Sequence, residues 1–474
     1  MPYIIMLGYV VISKKTELMF SVFTRKTFLT FFFFQTVFWL VAIFTNHYSL
    51  FYKYDTSWYT NVLSNFSNGH GFYTSVYQIP QLADHFCPNI LLLSPLFYFS
   101  DSSLWIILAR WVCFVWSIWL LYRLCREYRL EDSVMYFILI LWMINSKTTG
   151  FMRFDFHPSN LSVPFIFLLF LLWKQKKYIL AYVCLFFLLG FKTQMSIVWV
   201  SFGFFQIFIE KKYLIGVITS ISGIVLGYFL IYVLTPQLTG MVNVHAGEVN
   251  PFLHILLKIS VISSFMMVTG FVPLLNWRYL FLVGPALGLT ILSGLDWKIN
   301  LGLHYADVPI TLVYVTMVLI FSQWETLNEK IKTSWMHQLW FIAFSLGVLI
   351  HCQTSASYFV FSHLPNDKTI AAVSSAEKFA NELDGTKNIW VQDNLGPLIT
   401  KQYKFRILTS EDRATADTLS HYVVLTDVAK TWPFEDRIGE VIQKFETLAD
   451  SGKYQRINGY FPLRIYLHEA VGKQ

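Results

Sequence analysis

Apolar residues fall along this chain in long blocks, not in the alternation of a half-buried strand or the one-sided stripe of a surface helix. The blocks close at charge, proline or Asn/Gly clusters. They lie at 27–45, 104–122, 133–147, 161–173, 178–191, 195–209, 213–234, 253–275, 279–293, 306–323 and 339–361. A spanning helix needs about 20 largely apolar residues, so the pattern predicts an all-α polytopic membrane protein with about eleven transmembrane helices. The 178–209 stretch also reads as one long helix broken at Lys192-Thr193-Gln194. Residues 1–12 are apolar but too short to span. They lack a cationic lead and a clear cleavage site, so no signal peptide is assigned, and Met19 is an alternative start.

The loops between blocks alternate in charge. One set holds Lys14, Lys15, Arg25, Lys26, Arg123, Arg126, Arg129, Lys174, Lys176, Lys177, Lys211, Lys212, Arg278, Lys330 and Lys332. The other holds Lys53, Lys147, Arg153, Lys192 and Lys298. Fifteen cations against five place the first set in the cytoplasm. The N-terminus is then cytoplasmic, and residues 362–474 lie outside. The expected division is a multi-pass domain, 1–361, with a long first outer loop at 46–103, and a small soluble domain, 362–474. That tail carries 14 Lys/Arg and 15 Asp/Glu. It reads as an α/β domain with helices at 374–383 and 434–449, strands at 388–392, 421–426 and 464–468, and Asp393 or Asn394 capping a turn of helix.

Composition agrees with the pattern. The chain is 55% hydrophobic, 18% aromatic and 14% charged, where soluble domains carry about 25% charged residues. The net charge of +7 follows from the loop bias. No basic patch forms, so no nucleic-acid partner is implied; membrane lipids are the expected surroundings. The five cysteines, Cys87, Cys113, Cys125, Cys184 and Cys352, form no C-x-x-C pair and suggest neither a disulfide framework nor a zinc site.

The ionisable residues able to do chemistry collect on the outer side. The first outer loop has Asp55 in YKYDTSWYTN, then Asp84 and His85 in ADHFCPNILLLSPL. The second has Arg153, Asp155 and His157 in RFDFHPSNL, the third Lys192, the fifth His304, Tyr305 and Asp307 in GLHYAD. Each has a structural reading beside the functional one. Asp55 could cap a helix or serve as a base. His85 could cap a re-entrant helix at 89–99. Asp155 and His157, two apart, share a face of an extended segment as an oriented pair, but two ligands are too few to claim a divalent metal. Lys192 either snorkels to the interface or contacts a phosphate. His304, taken alone, is more often structural. Arg110 within a block is a functional hypothesis by default, or snorkels.

The order of D-x-x-W (Asp55–Trp58), H-F-x-P-x-x-L-L-L-x-P-L (His85–Leu96), F-D-F-H-P (Phe154–Pro158), Lys192 and H-Y (His304–Tyr305) resembles a bacterial family of polytopic membrane proteins of unknown function. The likeness covers about 50–320, and more loosely the tail. The family's first motif usually looks like F-D-x-G-I-F-x-Q; only the Asp and its aromatic setting match here. An acid usually follows at the Lys192 position, where this chain has Thr193. That family resembles the C-type glycosyltransferases (GT-C). The resemblance implies an acidic base near the start of the first outer loop, matching Asp55 with Asp155 next in line. It also implies a polyprenyl-phosphate sugar donor, a bacterial inner membrane as the location, and transfer on its periplasmic face, where residues 362–474 would lie. Arg153, His85, His157, Lys192, His304 and Tyr305 are the candidates for substrate binding. A transporter or flippase is the competing class, although no internal repeat is found and the polar residues lie at one surface, not at the midplane. A non-catalytic envelope protein is the third, carried by the altered first motif and the missing acid.

Overall fold

The computed structural model describes residues 23–323 and 363–468, with Gly347, apart from 77, 154, 242–249, 251, 294–298, 300–303, 384–386, 401–402, 409–421, 430–433 and 435. Apolar helices occupy ten of the predicted blocks: α1 Arg25–Tyr48, α3 Leu104–Glu127, α4 Asp132–Ile144, α6 Pro158–Lys174, α7 Tyr178–Leu189, α8 Ser196–Phe204, α9 Tyr213–Phe229, α10 Ile255–Val268, α11 Trp277–Leu292 and α12 Asp307–Phe321. Between them α2, Tyr54–Ser67, lies in the loop after α1, and α5, Ser146–Arg153, in the loop after α4. The expected span at 339–361, the leading residues 1–22 and the loop at 324–338 lie outside the described residues.

Among the described residues three helical stretches, Arg25–Tyr48, Leu104–Glu127 and Tyr213–Thr239, are long and apolar enough to cross a bilayer alone. Of the shorter ones α4, α6 and α12 sit deeper. Every residue of α12 is buried, the signature of a helix that is apolar all round and surrounded by others. At 1.5 Å per residue it is only about 22 Å long. The peripheral helices turn Phe33, Phe34, Val41, Ile224 and Tyr228 outward, as lipid-facing surfaces require. The apparent continuity of 178–209 ends at Lys192, whose backbone is extended (φ −169°). It separates α7 from a 3-10 turn at Thr193–Met195 and α8.

Helix α9 packs against α8 along small residues. A Cβ on Gly203 would lie 2.6 Å from the Gly216 carbonyl oxygen, and one on Gly216 would lie 2.6 Å from that of Gly203. Small residues let two backbones approach where no hydrophobic force drives association in lipid.

A short antiparallel hairpin, β1 Tyr73–Thr74 and β2 Ile79–Pro80, lies in the loop after α2. The C-terminal residues form a five-stranded sheet of β3 Ile389–Val391, β4 Phe405–Ile407, β5 Tyr422–Leu425, β6 Tyr454–Ile457 and β7 Arg464–His468, in the order β4-β3-β5-β7-β6, with helices α13 Asp367–Glu382 and α14 Ile438–Asp450. The first three strands pair in parallel, and β7 joins β5 and β6 antiparallel. Strands β4 and β6 are additions to the sequence reading. They are short, and the β6 pattern is mostly exposed, so neither gives an apolar run. The expected Asp393/Asn394 cap is also corrected. The helical turn Gly396–Ile399 starts after Leu395 and has no side-chain cap.

This domain docks on α2. Asn61 Nδ2 donates to the Thr400 carbonyl at 2.9 Å, and Ser75 Oγ donates to the Tyr403 carbonyl. Leu50, with Tyr54 and Val76 beside it, enters the same apolar core as Phe379, Ile389, Leu395 and Phe405. A Cβ on Gly396 would fall 2.9 Å from Ser57 Cβ, so only glycine permits this closeness.

Candidate functional site

Helix α2 begins without a cap of its own. Lys53 occupies the N-cap position and makes no side-chain cap bond. The exposed donors of a helix start need acceptors, and Asp155, from the loop before α6, supplies them. Its Oδ2 accepts from the Asp55 backbone N–H at 2.9 Å and its Oδ1 from that of Lys53 at 3.3 Å. Thr56 Oγ1 donates to the same carboxylate and accepts from the Phe156 N–H at 3.1 Å. Asp155 therefore holds the turn that presents Asp55.

Asp55 is a half-buried residue, whereas Asp84, Asp155 and Asp307 are buried. Its carboxyl is pushed above the ordinary carboxylate range, first by burial and then by the negative charges of Asp155 and Asp84; Lys192 pulls it the other way. Burial also raises Asp155, against the bonds from Thr56 and Lys53 and the field of Arg110.

Tyr59 lies one turn after Asp55 on the same face of α2. Its hydroxyl is 3.5 Å from His157 Nε2, and Nε2 is 3.1 Å from Lys192 Nζ. Lys192 points inward and is 4% exposed; its ammonium stands 5.5 Å from the Tyr305 ring centre. The reason for the inward course is the break between α7 and α8, which puts an extended residue on the inner side. His85 packs edge-on against His157, with ring centres 5.6 Å apart. Its Nδ1 is 2.9 Å from the Asp84 carbonyl. The helix expected at 89–99 is a 3-10 segment, Pro88–Leu93, followed by a helical turn, Ser94–Phe97. It is pinned to the end of α7 by Asn89, whose N–H donates to the Gly190 carbonyl at 2.8 Å.

His157 caps α6. Its N–H donates to Asn160 Oδ1 at 3.0 Å, and its Nδ1 is 3.0 Å from Ser159 Oγ. Ser159 Oγ and Asn160 Nδ2 each donate to Asp307 Oδ2 at 2.8 Å.

The structure thus brings together Asp55, Asp155, His85, His157, Lys192 and Tyr305, from four separate loops. Arg153 Nη2 donates to the Ser146 carbonyl at 3.0 Å within α5. His304 opens the short 3-10 turn His304–Ala306, and its side chain lies outside the described residues. Thr56, Tyr59, Ser159 and Asn160 were not singled out from sequence. They are uncharged residues inside helices, and only tertiary contact gives them a part. Asp84 and Asp307 were visible as outer-loop acids, but nothing in their spacing ranked them. Among the described residues no three His, Cys, Asp or Glu side chains converge as a metal set.

A cluster of loop acids and cations lies above a bundle of apolar helices, with a small sheet domain docked beside it, and this fold is similar to that of a solved membrane-protein structure. The crystal structure of ArnT from Cupriavidus metallidurans bound to undecaprenyl phosphate superposes with a TM-score of 0.56 at 8% identity, covering 94% of this chain and 98% of that chain. The oligosaccharyltransferase of Archaeoglobus fulgidus, tethered with an acceptor peptide, gives 0.40 at 11% identity over 86% of this chain and 70% of that one. By sequence the chain belongs to the family described as predicted membrane protein, DUF2079, which matches residues 46–427. No curated protein matches it in sequence.

Proposed function

We propose that the protein is an inner-membrane glycosyltransferase that moves a sugar from a polyprenyl-phosphate donor to a hydroxyl of an envelope acceptor on the periplasmic face. What supports this reading is a half-buried acid, Asp55, one turn before Tyr59, whose hydroxyl meets the buried His157–Lys192 pair. The likeness in fold to ArnT, a structure bound to undecaprenyl phosphate, supports a lipid phosphate as the anion.

In the proposed step Asp55 accepts the proton of the acceptor hydroxyl. The hydroxyl oxygen bonds to the anomeric carbon as the bond from that carbon to the phosphate oxygen breaks. The electron pair leaves with the polyprenyl phosphate, and the charge that develops there faces Lys192 and the Tyr305–His157 wall. Fixed charge in a partly dehydrated recess stabilises such a leaving group strongly. Lys suits the task as a compact point charge. Asp155 serves as the positioning residue for Asp55, because both its oxygens already accept hydrogen bonds.

Lys192→Met and Lys192→Arg test the phosphate contact. In purified protein Lys192→Met should raise the KM for donor or lower kcat without changing membrane insertion, and Lys192→Arg should keep partial activity. Equal activity of Lys192→Met and the parent would remove Lys192 from the site.

A further inference from the structure

Four side chains run in line from Lys192 to the start of α12: Lys192 Nζ to His157 Nε2 at 3.1 Å, His157 Nδ1 to Ser159 Oγ at 3.0 Å, and Ser159 Oγ to Asp307 Oδ2 at 2.8 Å. All four are buried, none more than 4% exposed. Proton placement along this line is constrained. An ammonium has donors only, so a charged Lys192 must meet a bare Nε2. If instead the proton sits on Nε2, Lys192 is neutral and accepts it, and the imidazole carries the charge. In both arrangements that keep one positive charge on the pair, Nδ1 bears a hydrogen. That hydrogen points to Ser159 Oγ, whose own hydrogen goes on to Asp307. The competing arrangement has Nδ1 accepting from the Ser159 backbone N–H, at the longer distance of 3.3 Å. It puts the hydrogen on Nε2 and leaves the pair neutral among the carboxylates of Asp55, Asp155 and Asp307.

We propose that Asp307 is a positioning residue for Lys192, acting through Ser159 and His157 to hold the imidazole in its Nδ1-protonated form and the ammonium at one place in the recess. The segment that carries Asp307 grips Lys192 twice, since Tyr305, two residues earlier, stands over the same ammonium at 5.5 Å. A lysine with a flexible four-carbon stem is thereby tied to the end of a fully buried helix. The catalytic consequence rests on the glycosyltransferase reading; the proton arrangement does not.

The test uses full-length protein labelled with 15N-histidine in lipid bilayers, with the His157 resonance assigned by its loss in His157→Gln. Nitrogen shifts report which ring nitrogens bear hydrogen. The expected result is a protonated Nδ1 in the parent protein and its loss or averaging in Ser159→Ala. Ser159→Thr, which keeps a hydroxyl, should restore it. Ser159→Ala leaves the Asn160 bonds to Asp307 and to the His157 N–H in place, so the start of α6 stays capped; Asp307→Asn is the second variant and should shift the same resonance. A bare Nδ1 in the parent, or a resonance unmoved by Ser159→Ala, would overturn the proposal. With a transfer assay in hand, Ser159→Ala should reduce kcat/KM by on the order of 10²-fold, as a misplaced reacting group does, and unchanged transfer would overturn the positioning role. If Nδ1 is protonated as expected but no sugar is transferred by the parent protein, the relay stands and the functional reading fails.

Discussion

Asp155 and Asp55 are two carboxylates on adjoining segments, and their surroundings divide the labour between them. Asp155 is buried and accepts from two backbone N–H groups and one hydroxyl. Asp55 keeps part of its surface open. Removing Asp155 as Asp155→Ala would leave the part-buried Lys53 and Asp55 N–H groups without their acceptor, at a cost of up to about 1–3 kcal/mol for each. The apparent melting temperature in detergent should fall. Asp55→Asn should leave it nearly unchanged, since the side chain is near-isosteric and caps nothing. The raised pKa of Asp55 has a sign for activity. A base works only when deprotonated, so transfer should rise with pH through a midpoint well above the ordinary carboxylate range. In Lys192→Met, where the lowering influence is lost, that midpoint should move higher still. A pH profile of kcat/KM checks both; a midpoint at the ordinary carboxylate value, or a downward move, would contradict the burial and charge argument. At this scale the sequence was partly legible. Ionisable residues announce themselves by being out of place among apolar blocks. Thr56, Tyr59 and Ser159 do not, because hydroxyls are common inside helices.

At the scale of the element, α2 is the piece on which the site depends. It is capped by the second outer loop and braced by the C-terminal domain. Its residues 56–65 are all buried, although it follows the first apolar block by only a few residues and carries a polar face of Thr56, Ser57, Thr60, Asn61, Ser64 and Asn65. A periodicity argument reads such a face as solvated; here it is covered by the Gly396–Thr400 segment and the first-loop hairpin. Gly396→Ala tests the brace. The added Cβ would meet Ser57 at less than 3 Å, so the two backbones must separate. The expected result is faster hydrogen exchange in α2 and in Gly396–Ile399, with the sheet core unchanged. Unchanged exchange in α2 would show that the domain does not hold it. The break at Lys192 was legible as a polar triplet between apolar runs, but its inward course came from the join of two short helices, which the pattern leaves undecided.

For the whole molecule, ten of the apolar blocks became apolar helices because block length and closing residues are read by the membrane itself. The sheet was harder to see. Strands of three to five residues give too few positions for alternation to register, and strands β4 and β6 escaped for that reason. Orientation remains an inference from loop charge. Cysteine introduced at Ser451 should be labelled by an impermeant reagent from outside intact cells, and cysteine at Gln175 should not. The reverse would place the acid cage on the cytoplasmic side, where polyprenyl-phosphate chemistry of the proposed kind could not reach an envelope acceptor.

Glycosyl transfer by Asp55 is tested most directly by release of polyprenyl phosphate from a polyprenyl-phosphate sugar by the purified full-length protein, compared with Asp55→Asn. The expected result is time-dependent release that depends on an acceptor, reduced in Asp55→Asn by at least the roughly 10²–10⁴-fold that loss of a general base brings, in protein that melts like the parent. Release by Asp55→Asn at the parent's rate would contradict the role of Asp55 as the base.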